Sequence, residues 1–141
     1  MAKDSKLEHL AQVRLFSACS NKELALIGRA SDEIRVPAGK VLVQEGTIGY
    51  EFYLILEGQA VVKRGGKKVT TLGPGQYFGE LSLLDRQPRS ATVEAGTDMT
   101  VLVLGKREFS GVLDEVPALA HKLLAAMAAR LREADTKAFS H

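Results

Sequence analysis

The stretch FGELSLLDRQPRSATV, residues 78–93, places a glycine, a glutamate and an arginine close together beside leucines. One helical turn starting at Gly79 would aim its first N–H groups at a single point, and such groups favour an anion. Arg89 can meet a phosphate with two parallel N–H donors. An ionised Glu80 only accepts hydrogen bonds, which suits a sugar hydroxyl. The segment therefore predicts a site for a small phosphorylated sugar.

The chain around this segment alternates short strand-like runs with turn signals. Between residues 32 and 104 the runs are rich in β-branched and aromatic residues, and Gly65-Gly66 is a strong signal for a two-residue hairpin. No stretch between the runs is long enough for a helical crossover, which disfavours a parallel sheet. The pattern predicts an antiparallel β-roll (jelly roll) of about eight strands, so the fold class is mainly β with flanking helices.

Helical patterns flank this β-rich region on both sides. We expect N-terminal helices within residues 1–31, where Ser20 and Glu23 form a capping-box pattern, and two C-terminal helices within residues 106–138. The last helix opens with a proline, as first turns allow. Its apolar stripe, either core or dimer seam, consists of Leu119, Leu123, Met127 and Leu131.

Composition bounds the remaining possibilities. The 141 residues suggest one domain covering 1–141, and a net charge of +2 gives no electrostatic case for bulk nucleic-acid or membrane binding. No segment is apolar enough to span a membrane. The lone Cys19 cannot form an internal disulfide, which fits a reducing cytosol, so we expect a cytoplasmic protein. The three histidines avoid the strands, which predicts no metal site. The basic sequence RGGKKV, residues 64–69, is interpreted as a solvated hairpin tip.

The segment at residues 78–93 resembles the phosphate-binding cassette of the cyclic nucleotide-binding domain family. The family pattern runs close to F-G-E-[LI]-[AS]-L-[LIM], a short spacer, and then P-R-[AST]-A-[TS]-V. The matching residues are Phe78, Gly79, Glu80, Leu81, Ser82, Leu83, Leu84, Pro88, Arg89, Ser90, Ala91, Thr92 and Val93. The resemblance extends over nearly the whole chain, because members combine an N-terminal helical segment, an eight-stranded β-roll with a short cassette helix, and two C-terminal helices.

The resemblance implies a role for each matching residue of the cassette. Arg89 would pair with an exocyclic oxygen of the cyclic phosphate, and Glu80 would accept from the ribose 2′-hydroxyl. Gly79 would let the backbone approach the ribose, and Ser90 would donate to the phosphate or to a base edge. The N–H groups expected along the phosphate and sugar are those of Leu81, Ser82 and Ala91.

The base end of the site is less well defined by the resemblance. Apolar residues of the roll, Leu72 with Val61 or Val62, would lie against the base. Family members that bond adenine through hydroxyls of the last helix have them where this chain has Ala134 and Asp135, which cannot act in the same way. The position of a stacking arginine falls on Arg130, which becomes the candidate cap.

The resemblance implies a non-catalytic sensor, with no cofactor, whose ligand is cyclic AMP in preference to cyclic GMP. Binding would be relayed through movement of the C-terminal helices, with a homodimer through the last helix or a separate effector as possible partners. No helix-turn-helix is recognised, so no direct DNA binding is expected. Three alternatives remain open: an interaction module that binds no nucleotide, a regulatory domain cut from a larger transcription factor, channel or enzyme, and an enzyme acting on the nucleotide. The last is disfavoured because no nucleophile–base pair or metal cluster stands out.

Overall fold

The computed structural model describes the backbone of residues 2–139 and the side chains of residues 7–135. The helices are α1 (Ala2–Ala11), α2 (Asn21–Ala30), α3 (Glu80–Asp85), α4 (Lys106–Glu115) and α5 (Pro117–Phe139), with a 3₁₀ turn at Arg14–Phe16. The strands are β1 (Asp32–Val36), β2 (Val41–Val43), β3 (Glu51–Glu57), β4 (Ala60–Arg64), β5 (Lys67–Leu72), β6 (Tyr77–Phe78), β7 (Thr92–Ala95) and β8 (Met99–Gly105). The predicted mainly β fold with flanking helices is confirmed.

The eight strands form two antiparallel four-stranded sheets. One sheet has the order β1-β8-β3-β6 and the other β2-β7-β4-β5. Because β6 lies at the edge of the first sheet and β7 lies within the second, the chain between them passes from one sheet to the other. That connection contains α3 and residues 86–91, so the segment singled out from the sequence bridges the two sheets.

Strands β3 and β8 are apolar on both faces because each face is covered. Phe52 and Leu54 of β3 pack into a cluster with the helices, whereas Tyr53 and Ile55 pack into a second cluster between the two sheets. Strand β8 divides its side chains in the same way. Successive strand residues point to opposite faces, so a nearly continuous apolar run is what a doubly covered strand requires.

Local signals in the sequence correspond to local features of the structure. The predicted capping box is present, with the Ser20 hydroxyl accepting from the Glu23 N–H and the Glu23 carboxylate accepting from the Ser20 N–H. Gly65 and Gly66 both adopt positive φ, as a two-residue hairpin turn between β4 and β5 requires. Among the described residues, no helix has both the length and the apolar character needed to cross a membrane.

The apolar residues of α3 and of α5 divide between buried and exposed positions. Of the leucines of α3, only Leu83 is buried, while Leu81 and Leu84 are 44% and 48% exposed. Six residues make fewer than two helical turns, and the buried residues of α3 are Glu80, Ser82 and Leu83. The apolar stripe of α5 is buried only in part, because Leu123 is buried whereas Leu131 is 66% exposed.

Candidate ligand-binding site

The candidate site is a cavity of about 840 Å³ bounded by the second sheet, the α3 segment and one face of α5. Every residue predicted as a site residue from the sequence lines it, except Val61, the alternative to Val62. These residues are Val62, Leu72, Gly79, Glu80, Leu81, Ser82, Arg89, Ser90, Ala91 and Arg130. The structure therefore brings together groups that the sequence separates by up to 68 positions, from Val62 to Arg130.

Arg89 is held in the wall of the cavity by backbone carbonyls. Its side chain is buried, its Nη1 donates to the Gly79 carbonyl at 2.9 Å, and its Nη2 donates to the Glu51 carbonyl at 2.8 Å. A guanidinium carries more N–H donors than these two bonds use. Arg89 can therefore brace two segments of the fold and still present donors to an anion.

The charge of Arg89 is maintained despite its burial. Removal from water lowers the pKa of the guanidinium from its ordinary value, and Tyr53 and the carboxylates of Glu51 and Glu80 act in the opposite direction. An arginine pKa begins so far above neutrality that the group stays protonated. The cavity thus contains a fixed, partly desolvated positive charge.

Two glycines make room for this arginine. A Cβ at Gly49 would overlap the Arg89 guanidinium, and a Cβ at Gly79 would lie 2.7 Å from the Glu51 carbonyl oxygen and 2.9 Å from Arg89 Nη1. Gly79 also has a φ of 96°, which a residue with a side chain rarely adopts. Gly79 was predicted as a close-approach position, whereas Gly49 lies outside the cassette and was missed.

Glu80 is a buried carboxylate with one oxygen paired and one oxygen unpaired. Its Oε1 accepts from Arg130 Nη1 at 3.2 Å, while Oε2 is buried and has no hydrogen-bond partner among the described side chains and backbone. Leaving a charged acceptor unsatisfied in a buried position is costly. Oε2 is thus an acceptor available to a hydroxyl donor in the cavity.

Arg130 connects α5 to the floor of the cavity. Besides its contact with Glu80, its guanidinium carbon lies 5.8 Å from the centre of the Tyr77 ring, within the range of a cation–π contact. Its side chain is 54% exposed. Ala134 and Asp135 are exposed and lie outside the cavity lining.

The rest of the cassette lines the same end of the cavity. Helix α3 begins at Glu80, so the N–H groups of its first turn, including those of Leu81 and Ser82, have no partner within the helix. Ser90 and Ala91 directly precede β7, which begins at Thr92. The Ser90 side chain is exposed and Ala91 is buried.

Sequence reasoning missed several polar groups of the cavity wall. Thr70 presents a hydroxyl from β5, Tyr77 lies beneath Arg130, and Lys122 lies on the α5 face. Arg64 was interpreted as part of a solvated hairpin tip, but it lines the cavity and its Nε donates to the Ser90 carbonyl at 3.2 Å. The alternation of β4 could have indicated it, because Val62 and Arg64 share one face of the strand.

A comparison with protein families identifies the fold and the site region together. The model described as "Cyclic nucleotide-binding domain" matches residues 33–116, which include all eight strands except the first residue of β1, together with α3 and α4. The chain belongs to this family. The resemblance recognised in the cassette is therefore confirmed.

Members of the cyclic nucleotide-binding domain family similar to this chain include receptors and kinase regulatory domains. The cyclic AMP receptor protein of Thermus thermophilus is 40% identical over 104 residues, covering 70% of this chain and 48% of the relative. The crystal structure of the Thermus thermophilus catabolite activator protein superposes with a TM-score of 0.81 at 35% identity, covering 87% of this chain and 60% of the other. A co-crystal structure of the regulatory domain of Toxoplasma gondii PKA with cAMP gives a TM-score of 0.78 at 26% identity, covering 91% and 50%. The chain thus spans about half the length of the Thermus thermophilus receptor.

Proposed function

We propose that residues 1–141 form one cyclic nucleotide-binding domain, a sensor without catalytic activity, that binds cyclic AMP in preference to cyclic GMP in the 840 Å³ cavity. The observation that carries the proposal is the buried Glu80 Oε2, which has no hydrogen-bond partner among the described residues and lies in the same cavity as Arg89. A cyclic nucleotide offers a hydroxyl donor on its ribose and one negative charge on its phosphate. These two groups match the orphan acceptor and the fixed cation.

The phosphate end of the ligand would lie beside Arg89. The guanidinium would donate to an exocyclic phosphate oxygen with the N–H groups that its backbone contacts leave available. The N–H groups of Leu81, Ser82 and Ala91 would surround the phosphate and sugar, and Ser90 would donate to the phosphate or to the base. The co-crystal of the similar Toxoplasma domain with cAMP supports this choice of ligand class.

The base would lie at the other end of the cavity, against apolar side chains of the second sheet. Val62 and Leu72 are partly buried and line the cavity there, which supports them as the base pocket. Val61, the alternative to Val62, lies outside the lining. Arg130 would stack on the purine from the α5 side. The Thr70 hydroxyl would be available to a polar edge of the base.

The signal would be relayed through the C-terminal helices. Lys122, Ala126 and Arg130 of α5 line the cavity at one-turn intervals, so a ligand would contact this helix directly. Arg130 Nη1 lies 3.2 Å from Glu80 Oε1, so a ribose hydroxyl at Glu80 would share or displace that contact. The ligand would therefore stabilise the α5 position that offers it the most contacts, which is a population shift.

A second path leads from the cavity to α4. Tyr77 lies against Phe52 with ring centres 5.7 Å apart, and Phe52 stacks on Phe109 of α4 at 4.9 Å. A change in the contact between Arg130 and Tyr77 would therefore reach α4 through packed rings. We expect both C-terminal helices to respond to the ligand.

The partner that receives the signal would bind the outer part of α5. Leu124 and Leu131 are 62% and 66% exposed. Such apolar positions favour a second copy of the chain packed along α5, with a separate effector protein as the alternative. The rest of a longer protein could also supply the partner.

A thermal-shift titration with cyclic AMP and cyclic GMP tests this function. A ligand at about 100 times its Kd stabilises a protein by about 2.7 kcal/mol, which for a chain of this size corresponds to a Tm increase of about 5–11 °C. We expect that increase with cyclic AMP at lower concentration than with cyclic GMP, and intact ligand after prolonged incubation. No shift with either nucleotide would favour the interaction module, and loss of the ligand would favour an enzyme.

A further inference from the structure

The cavity is more basic than the chain as a whole. Its described lining contains five basic side chains, Arg14, Arg64, Arg89, Lys122 and Arg130, and a single carboxylate, that of Glu80. The whole chain has a net charge of only +2. Arg89 and Arg130 have assigned contacts in the proposed binding mode, but Arg64 does not. Arg64 lies at the end of the cavity where Arg89 would bind the phosphate.

Arg64 is anchored in a way that leaves its charged end available. It is the last residue of β4, and its Nε donates to the carbonyl of Ser90, the residue that follows Arg89. The two terminal amino groups are not used by that bond. The described side chains provide no ion-pair partner for Arg64, and the neighbouring Glu45 carboxylate instead accepts the Gly65 N–H at 3.0 Å.

The strand register gives Arg64 no stabilising role in the sheet. It lies directly opposite Lys67, and Lys63 lies opposite Lys68. Like charges directly opposite each other destabilise a strand pair. Lys63 is compensated by Glu94 at 2.6 Å, whereas Arg64 has no comparable partner among the described residues. An anion in the cavity would supply the missing compensation.

We infer that Arg64 is a second cation for the ligand phosphate, fixed beside Arg89 by the Ser90 carbonyl. This inference rests on the proposed function. The two arginines have different roles. Buried Arg89 braces the fold and contacts the phosphate, whereas exposed Arg64, at the end of β4, adds charge and N–H donors. Because Arg64 is exposed, its contribution is screened by salt and corresponds to about a three- to fivefold gain in affinity at low ionic strength.

Three variants separate the charge of Arg64 from its other effects. Arg64→Gln removes the charge and keeps an N–H donor for the Ser90 carbonyl, whereas Arg64→Lys keeps the charge. The matched control, Lys67→Gln, removes one charge from the same hairpin and relieves the same repulsion, but Lys67 does not line the cavity. Both positions are exposed, so circular dichroism should show folded proteins with similar melting curves.

Calorimetric titration of each variant with cyclic AMP, at low salt and at about 1 M NaCl, tests the inference. At low salt we expect Arg64→Gln to weaken binding about three- to fivefold, and Arg64→Lys and Lys67→Gln to stay within about twofold of the parent chain. At about 1 M NaCl, where the Debye length is about 3 Å, the loss should largely disappear. Parental affinity of Arg64→Gln, an equal loss in Lys67→Gln, or a loss that Arg64→Lys shares would overturn the inference. Failure of the parent chain to bind any cyclic nucleotide would instead refute the proposed function itself.

Discussion

Replacement of Arg89 by alanine should affect both the stability of the fold and the binding of the ligand. The guanidinium is only 6% exposed and donates to the carbonyls of Gly79 and Glu51. Hydrogen bonds to charged groups each contribute about 1.5–3 kcal/mol, but the variant also avoids the cost of burying a charge, and water can enter the cavity. We therefore expect Arg89→Ala to lower the free energy of unfolding by about 2–4 kcal/mol.

The effect of Arg89→Ala on binding should be similar in size to its effect on stability. Truncating one partner of a buried, hydrogen-bonded charge pair costs about 2–5 kcal/mol, which corresponds to at least about a 30-fold increase in Kd. Urea unfolding followed by circular dichroism gives the stability, and calorimetry at a temperature where the variant is fully folded gives the Kd for cyclic AMP. Arg107→Ala is the control, because Arg107 is exposed on α4 and outside the cavity lining.

Two results would refute this reasoning separately. An unchanged free energy of unfolding would show that the two carbonyl contacts do not brace the fold. An unchanged Kd in a folded variant would show that the phosphate does not lie beside Arg89.

The remaining predictions concern the support of Arg89, the sugar contact and a helix cap. Gly49→Ala should displace the Arg89 guanidinium, lower the unfolding free energy by about 1–3 kcal/mol and weaken cyclic AMP binding; unchanged values in urea unfolding and calorimetry would contradict the close approach. Glu80→Gln should weaken binding of cyclic AMP by about tenfold, since hydrogen bonds to charged groups contribute about 1.5–3 kcal/mol, but should leave the Kd of 2′-deoxy cyclic AMP nearly unchanged. An equal loss for both nucleotides would rule out the ribose contact. Ser20→Ala should cost about 1 kcal/mol of stability through loss of the α2 cap with no change in Kd, and a weaker Kd would contradict a purely structural role.

Features that depend on neighbouring residues could be predicted from the sequence. The hairpin at Gly65-Gly66 and the cap at Ser20 each follow from the backbone chemistry of a few adjacent residues. The cassette is also contiguous, so its letters were sufficient to predict α3 and to group Glu80 with Arg89.

Features that depend on distant contacts could not be predicted. The Glu51 carbonyl that accepts from Arg89 is 38 positions away in the sequence. Every residue has a backbone carbonyl, so the residue type at position 51 could not indicate this contact. Arg64 looked like an ordinary hairpin-tip residue because its contact with Ser90 crosses from one strand to a loop. The exposure of Leu131 was equally hidden, because a helical stripe shows which side chains share a face but not where the partner surface ends.

The most direct test of the central claim is a crystal structure of the chain in complex with cyclic AMP. The account predicts phosphate oxygens within hydrogen-bonding distance of the Arg89 guanidinium and the ribose 2′-hydroxyl on the Glu80 carboxylate, with Arg130 moved from its present contact toward the base. A nucleotide bound elsewhere, or a cavity that holds only water at saturating ligand while Glu80 remains paired with Arg130 alone, would contradict it.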